Sequence, residues 1–211
     1  SSLEMRLQTC LIVRCIRSRA VSCILTPDVI TFEYLASSLG KDSEKVSLCC
    51  DPVGASSEAE GRAFRRVNGI PADAKVLGAF GLMDERKGIH LLVDAFEAYK
   101  PVSNEYLLLM GCQTVGVRHS IRRLSRNSPA YRNLIQIDRF VSDDELVNGI
   151  DAANVVAAVY PRHMGSASIV IRAAAAKKPI LGSSFGWIGR TICENKLGYC
   201  CDAVDERRLL E

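Results

Sequence analysis

The sequence predicts an α/β fold with a doubly wound, Rossmann-like parallel sheet at its core. From residue 76 onward, short apolar runs alternate with amphipathic helical patterns, and this alternation is typical of βαβ units. The runs are continuously apolar, so we expect helices to cover both faces of the sheet. Aromatic residues make up 6% of the chain and apolar residues 48%, which favours α/β packing over an all-β sandwich.

The regular part of the chain contains five predicted strands with helices between them. The strands are Val76 to Phe80, Tyr106 to Met110, Leu134 to Ile137, Val155 to Val159 and Pro179 to Leu181. The helices are Ile89 to Tyr99, Val117 to Ser125, Asp143 to Ala152 and Ser168 to Ala176. Gly, Pro or polar residues bound each strand, as expected for short buried strands.

The first 75 residues are less regular. Residues 1–20 carry apolar positions at helical spacing beside a basic face, which predicts an amphipathic helix. The next predicted elements are a strand over Val21 to Leu25, a helix over Val29 to Leu39 and a strand over Lys45 to Cys49. Residues 54–75 are expected to form a loop with one helix, Glu58 to Val67. We therefore expect two domains, residues 1–53 and residues 54–211.

Composition excludes several classes of protein. A net charge of +3 gives no reason to expect a nucleic-acid partner, and no apolar run approaches the roughly 20 residues of a membrane span. No secretory signal pattern is present at the start. The nine cysteines include no C-x-x-C pair, which argues against a zinc site or a disulfide scaffold. We expect a cytoplasmic protein with reduced cysteines and no bound metal.

The loop from Phe80 to Gly88 is the first candidate ligand site. It follows a strand and precedes a helix, and ligands of open α/β sheets bind beyond the carboxyl ends of strands. Gly81 would let the backbone approach a ligand, and Lys87 or Arg86 could meet a phosphate. The glycine pattern fits neither a P-loop nor a dinucleotide fingerprint. The alternative is a solvated loop in which a glycine completes the turn.

The segment from Tyr160 to Ser168 is the second candidate, and it leads directly into a helix of small residues. Backbone N–H groups at a helix start favour an anion, and we assign Gly165, Ser166 and Ser168 to ligand binding on this basis. The alternative is that the serines only cap the helix. His163 alone is more often a structural residue than a base.

The segment from Gly182 to Arg190 is the third candidate, again read as a loop after a strand. It contains three glycines, of which Gly186 is assigned to ligand contact. Trp187 either stacks on a base or anchors the loop, and the apolar area that a buried tryptophan contributes favours the anchor.

The predicted helix near residue 120 has a basic face. Arg118, Arg122 and Arg126 recur every four residues, with Arg123 beside them. Such a face could meet acidic partners or lipid headgroups, so peripheral membrane contact stays open. A merely solvated face is the simpler interpretation, because the total charge is small.

Five segments carry a resemblance to a known family: Gly81 to Gly88, Ile89 to Phe96, Phe140 to Leu146, Asp151 to Pro161, and Met164 to Ile180. In order and spacing they resemble motifs of retaining GT-B glycosyltransferases of group 1 type. Those motifs are G-R-L-x-x-x-K-G, V-x-x-L-L-x-A-F, G-x-V-S-D-E-E-L, A-A-D-V-x-V-x-P-S and E-G-F-G-L-V-x-L-E-A-M-A-x-G-K-P-V. Residues 76–202 thus resemble the C-terminal, nucleotide-sugar-binding domain. Upstream, Ile24 to Pro27 and Lys45 to Val53 look like the connection between the family's two domains.

The family's polar site residues are partly replaced. The two glutamates of its E-x7-E motif, which contact the donor sugar and the ribose, correspond to Met164 and Arg172. The arginine that binds the diphosphate corresponds to Leu82, whereas the lysine is kept as Lys87. A guanidinium has only donors and cannot accept ribose hydroxyl bonds. Arg172 could instead pair with a donor phosphate or a sugar carboxylate.

The resemblance implies sugar transfer from a nucleotide donor to a carbohydrate, lipid or other acceptor, with retention at the anomeric carbon. It implies no cofactor, and the absence of a D-x-D signature agrees with metal-free transfer. The catalytic residue cannot be assigned, because the family places it in the other domain. We expect a chain that is incomplete at both ends, with residues 1–53 a remnant of the acceptor domain and the interdomain connection. A non-catalytic sugar-nucleotide-binding or scaffold domain, or an unrelated Rossmann-like domain, are the alternatives.

Overall fold

The computed structural model describes residues 10–49, 51–124, 126, 128–204 and 206–210. The chain divides into two compact units between Pro52 and Val53. Each unit is built around its own buried cluster of apolar side chains.

The first unit is small. Its elements are helix α1 over residues 10–16, strand β1 (Ile24–Thr26), helix α2 (Val29–Leu39), a 3₁₀ helix (Gly40–Lys45) and strand β2 (Val46–Leu48). The two strands pair in parallel, and Ile16, Leu39 and Val46 form a buried apolar cluster. Asp28 caps α2 by accepting from the Thr31 N–H at 2.7 Å. The start of the predicted N-terminal helix, residues 1–9, lies outside the described residues.

The second unit alternates strands and helices. Its strands are β3 (Lys75–Phe80), β4 (Glu105–Met110), β5 (Leu134–Ile137), β6 (Val155–Ala158), β7 (Ile180–Ser183) and β8 (Gly198–Cys201). Its α-helices are α3 (Glu58–Val67), α4 (Ile89–Tyr99), α5 (Val115–Arg123), α6 (Pro129–Arg132), α7 (Asp143–Ala152), α8 (Ser168–Ala175), α9 (Gly186–Glu194) and α10 (Glu206–Leu210). A short 3₁₀ helix, Glu85–Lys87, precedes α4.

The six strands of this unit form one parallel sheet in the order β5-β4-β3-β6-β7-β8. The chain first winds from β3 outward to β5 and then crosses back to β6 on the other side of β3. The carboxyl ends of β3 and β6 therefore flank the topological switch point, where open α/β sheets bind their ligands. The predicted doubly wound fold is confirmed.

The sheet is not covered equally on its two faces. Helix α7 packs on β3 and on α3, while α8 and α9 pack on β6, β7 and β8. The opposite face carries a groove of about 600 Å³, open beside Leu77, Val155, Leu181 and Tyr199. Helices thus flank the sheet on both faces, as expected, and the groove lies at the β6–β8 end of the face on which α4 packs.

The third predicted loop is also wrong in extent. Strand β7 continues to Ser183, and α9 begins at Gly186, so only Ser184 and Phe185 connect them. The glycines at 182, 186 and 189 are misleading, because all three positions are closely packed. A Cβ on Gly182 would clash with Ile192, one on Gly186 would lie 2.6 Å from the His163 carbonyl oxygen, and one on Gly189 would clash with the Ser184 backbone. Close packing of helix on strand, rather than loop flexibility, requires these glycines.

Candidate functional site

Lys87 is held at the switch point by the strand that precedes its loop. Its Nζ donates to the Phe80 carbonyl oxygen at 2.6 Å, at the carboxyl end of β3. Gly81, with φ of +85°, makes this possible, because a Cβ there would lie 2.9 Å from that nitrogen. Asp84 fixes the turn by accepting from the Lys87 N–H at 3.0 Å. The backbone of the loop thus fixes the position of the ammonium group.

The electrostatic surroundings of Lys87 are unusual for a lysine. Burial lowers its pKa to about 8, while Asp84 raises the pKa and Arg86 lowers it further. The Lys87 Nζ lies 5.9 Å from the centre of the Tyr160 ring, and the Arg86 guanidinium carbon lies 5.5 Å from the same centre. One aromatic ring therefore contacts two cations, which a ring quadrupole stabilises.

Tyr160 lies two residues after the end of β6 and has a positive φ. Its φ is +36°, and its N–H donates to the Lys87 carbonyl oxygen at 3.2 Å, which ties the loops after β3 and β6 together. The side chain is only 5% exposed, and burial raises its pKa to about 12, so the phenol stays neutral. The sequence motifs assign Tyr160 no role. Its position two residues after a strand, at the switch point, is the feature that could have indicated one.

The loops after β6 and β7 are also in contact. The Tyr160 and His163 rings lie 5.4 Å apart, and His163 Nε2 lies 3.0 Å from the Ser166 carbonyl oxygen. Gly186, with φ of +61°, packs so closely that a Cβ would lie 2.6 Å from the His163 carbonyl oxygen. The Trp187 N–H donates to the Met164 carbonyl oxygen at 3.1 Å. We call Arg86, Lys87, Tyr160, His163 and Gly186 the loop cluster.

Three helices begin at these loops without a side-chain cap. They are α4, α8 and α9, whose N-caps are Gly88, Ala167 and Phe185, and none has an acidic residue in its first turn. The starts of α5 and α7 differ, because carboxylates already occupy them. Glu85 accepts from Thr114 Oγ1 at 3.2 Å beside α5, and Glu145 completes a capping box on α7. The loop cluster is therefore the part of this sheet edge best suited to an anion.

Contacts link five of the seven residues assigned from sequence. Contacts run from Gly81 and Lys87 through Tyr160 and His163 to Gly165, Ser166 and Gly186, and Ser168 is the first residue of α8. Neither serine caps α8 with its side chain, so the capping alternative is wrong. The assignment of these residues to ligand binding stays a prediction.

Arg172 is engaged elsewhere. Its Nη2 donates to Asp143 Oδ1 at 3.1 Å, at the first turn of α7, and its side chain is largely buried whereas that of Asp143 is exposed. This pairing occupies the guanidinium at the position where the resemblance expects a ribose-binding glutamate. Leu82 and Met164, the other two replaced positions, are 56% and 62% exposed.

The structure also bears on the alternatives left open for Trp187 and for the basic helix near residue 120. Trp187 lies in the first turn of α9 and is 4% exposed, so it anchors the chain and does not present its ring for stacking. On the basic helix, Arg118 pairs with Asp138 at 2.7 Å and Arg123 with Asp94 at 3.1 Å. These acidic partners neutralise part of the basic face. Among the described residues, no helix combines the length and apolarity needed to cross a membrane.

Comparison with known proteins gives matches in structure but not in sequence. No family model matches the chain, and no curated protein matches it. A glycosyltransferase from Rickettsia africae superposes with a TM-score of 0.70 at 14% identity, over 94% of this chain and 54% of that one. HepE from Anabaena, solved with UDP, gives 0.69 at 17% identity, over 90% and 52%. The C-terminal domain of LpcC, a group 1 glycosyl transferase from Francisella tularensis, gives 0.59 at 15% identity, over 75% and 82%.

The second unit has the fold of a GT-B C-terminal domain. This α/β Rossmann-like fold is what the spacing of strands, helices and motifs predicts. The chain spans about half the length of the first two of these structures.

Proposed function

We propose that residues 53–211 bind the diphosphate of a nucleotide-sugar donor at the loop cluster, as the donor domain of a retaining GT-B glycosyltransferase. The observation that carries the proposal is the placement of the Lys87 ammonium at the switch point between β3 and β6. Three helix starts without side-chain caps lie in the loops around it. A cation and free backbone N–H groups are the donors that a phosphate requires.

The same groups suit the chemistry of transfer. When the bond between the anomeric carbon and the diphosphate breaks, negative charge grows on the departing diphosphate. Cations and hydrogen-bond donors aimed at that charge lower the barrier. Lys87 supplies a positive charge in a poorly solvated position, where its field is least screened. Arg86 offers a second cation in place of the arginine that Leu82 replaces, because both it and Lys87 lie over the Tyr160 ring. In this proposal the leaving group needs no metal ion.

The remaining parts of the activity belong to the same proposal. The acceptor is a carbohydrate, a lipid or another hydroxyl-bearing molecule, and its site lies in a domain other than residues 53–211. Residues 1–52 then belong to the connection with that acceptor domain. The support is the fold, together with HepE, a structure of the same fold that was solved with UDP.

Calorimetry tests the donor site directly. The 211-residue chain is titrated with UDP-, GDP- and ADP-linked glucose or mannose, in the wild type and as Lys87→Ala. We expect one nucleotide series to bind and Lys87→Ala to abolish that binding. Lys75→Ala is the matched control, because Lys75 lies exposed at the opposite end of the same strand and pairs with Glu105. Equal binding by wild type and Lys87→Ala would overturn the proposal.

A second candidate is a degenerate domain that keeps the fold and has lost the donor. The engagement of Arg172 by Asp143 and the exposed apolar side chains of Leu82 and Met164 favour it. In that case the wild type binds none of the nucleotide sugars, while a Met164→Glu/Arg172→Glu double variant gains binding. The gain is expected because carboxylates at these positions can accept hydrogen bonds from sugar and ribose hydroxyls.

A further inference from the structure

Two thiols meet between α9 and β8, at the end of α9 remote from the loop cluster. The Sγ atoms of Cys193 and Cys200 lie 3.4 Å apart, and Cys200 Sγ also lies 3.8 Å from the Gly189 carbonyl oxygen. Cys193 is exposed and Cys200 is half-buried. The pair therefore combines a thiol that a reagent can reach with a partner thiol that is already beside it.

The fold explains why these two side chains meet. In the parallel pairing of β7 and β8, Cys200 is opposite Gly182, and both lie on the face that α9 covers. Gly182 has no side chain, and Ile188 and Ile192 of α9 fill the space that a Cβ would take, so α9 packs closely on the sheet beside Cys200. The Cys200 thiol can therefore lie against the end of α9, where Cys193 is found.

The connection between the two cysteines is itself well ordered. The Leu197 N–H donates to the Ile192 carbonyl oxygen at 3.0 Å, and the Ile180 N–H donates to the Leu197 carbonyl oxygen at 2.9 Å. Lys196 adopts a φ of +53°, which completes the tight turn. These bonds hold both thiols in place, so little chain entropy opposes their union.

The neighbouring Cys201 points the other way. Successive side chains of a strand alternate between the two faces of a sheet, so Cys201 faces the cluster around α4 while Cys200 faces α9. The Cys201 thiol lies 3.7 Å from the Gly182 carbonyl oxygen and packs against the core cluster. A bond between Cys193 and Cys201 would have to pass through the sheet.

We propose that Cys193 and Cys200 form a dithiol–disulfide site that a small-molecule disulfide such as oxidised glutathione converts to an intramolecular bond. The exposed Cys193 thiolate attacks the reagent, forms a mixed disulfide and releases one glutathione thiolate. The Cys200 thiolate then attacks the Cys193 sulfur and releases the second glutathione, so two protein thiols are oxidised and one reagent disulfide is reduced. The bond joins the end of α9 to β8.

The starting state is the reduced pair. In this state burial, together with the neighbouring Cys193 thiol, raises the pKa of Cys200 to about 12, so Cys200 is held as the neutral thiol beside the exposed Cys193. The sulfurs must approach from 3.4 Å to the bond length of about 2 Å, which rotation of the exposed Cys193 side chain can supply.

Peptide mapping tests the site. The 211-residue chain is incubated with oxidised glutathione, its remaining thiols are alkylated, and it is digested with trypsin without reduction. Cleavage after Arg190, Lys196 and Arg207 places Cys193 in residues 191–196 and Cys200 with Cys201 in residues 197–207. We expect these two peptides to be joined, with the loss of two hydrogen atoms, and to separate on reduction.

Two matched variants identify the partner thiol. Cys200→Ser should abolish the joined peptides and leave glutathione on Cys193, whereas Cys201→Ser should leave the joined peptides unchanged. Circular dichroism checks that both variants are folded. The proposal is overturned if Cys193 in the wild type stays glutathionylated without a bridge, or if the bridge persists in Cys200→Ser.

Discussion

Lys87 and Tyr160 show how single side chains define the candidate site. Lys87 carries the charge, and the Tyr160 ring contacts both it and Arg86. The motif resemblance singles out Lys87, because this residue corresponds to the lysine of G-R-L-x-x-x-K-G. It gives no information about Tyr160, whose importance depends on contacts between two loops that are far apart in the chain.

The charge of Lys87 makes ligand binding depend on pH. Burial lowers the pKa of this amine to about 8, so the free protein loses the charge as pH rises through that value. We expect the affinity for UDP to fall above about pH 8, by up to about tenfold per pH unit, because only the protonated amine attracts phosphate. Calorimetry at several pH values measures this, with Lys75→Ala as the control, because it should keep the pH dependence of the wild type. A wild-type affinity that stays constant across this range would contradict the prediction.

The Tyr160 ring should matter more than its hydroxyl. Tyr160→Phe keeps the ring and should bind UDP as the wild type does. Tyr160→Leu removes the contacts with two cations, each worth about 0.5–1 kcal/mol, and should weaken binding by roughly tenfold. The same titration measures both variants. Equal losses in both would show that the ring faces are not what positions Arg86 and Lys87.

Contacts between elements depend on small residues at fixed positions. Helix α3 packs on α7 at Gly61, where a Cβ would lie 2.7 Å from the Asp151 carbonyl carbon. Asp151 also accepts from the Ser57 N–H at 2.7 Å, and Arg65 donates to the Ala152 carbonyl oxygen at 2.9 Å. This contact attaches α3 to the sheet through α7.

A larger residue at Gly61 should separate the two helices. We expect Gly61→Val to lower the free energy of unfolding by about 1–3 kcal/mol, the usual cost of overpacking a close contact. Ala59→Val, on the exposed side of the same helix, is the control and should cost less than about 1 kcal/mol through helix propensity alone. Urea denaturation measures both. Equal destabilisation by the two variants would show that packing on α7 is not the cause.

At the scale of the whole molecule, the two units differ in the size of their cores. The buried cluster of the second unit joins strands β3, β4 and β6 with helices α4 and α5. Among the residues of the first unit that the structure describes, three apolar residues are buried at its centre. A core of that size cannot offset the loss of chain entropy on folding.

Residues 53–211 should therefore fold without the first unit. We expect this fragment to unfold cooperatively on heating and residues 1–52 to show no cooperative transition. Thermal unfolding followed by circular dichroism checks both fragments. A fragment 53–211 that melts without cooperativity would mean that the stability of the sheet depends on residues 1–52.

Local patterns were enough to predict the doubly wound α/β fold and most of its elements. Helices Val29–Leu39, Glu58–Val67, Ile89–Tyr99 and Asp143–Ala152 match the prediction, because each has strong helical periodicity and a recognisable end. The segment after residue 182 was misread, because glycines required by packing look the same in sequence as glycines of a loop. Strand β8 was missed because it is short and lies at the edge of the sheet.

The sequence by itself determined the fold class, the loops at the carboxyl edge and the place of Lys87 among them. Three contacts could be seen only in the folded protein. Lys87 and Arg86 both contact the Tyr160 ring, Arg172 pairs with Asp143, and the Cys193 thiol lies beside that of Cys200. The physical reason is range. Periodicity and capping act within one element and can be read locally, whereas these contacts join different elements and depend on how those elements pack against one another.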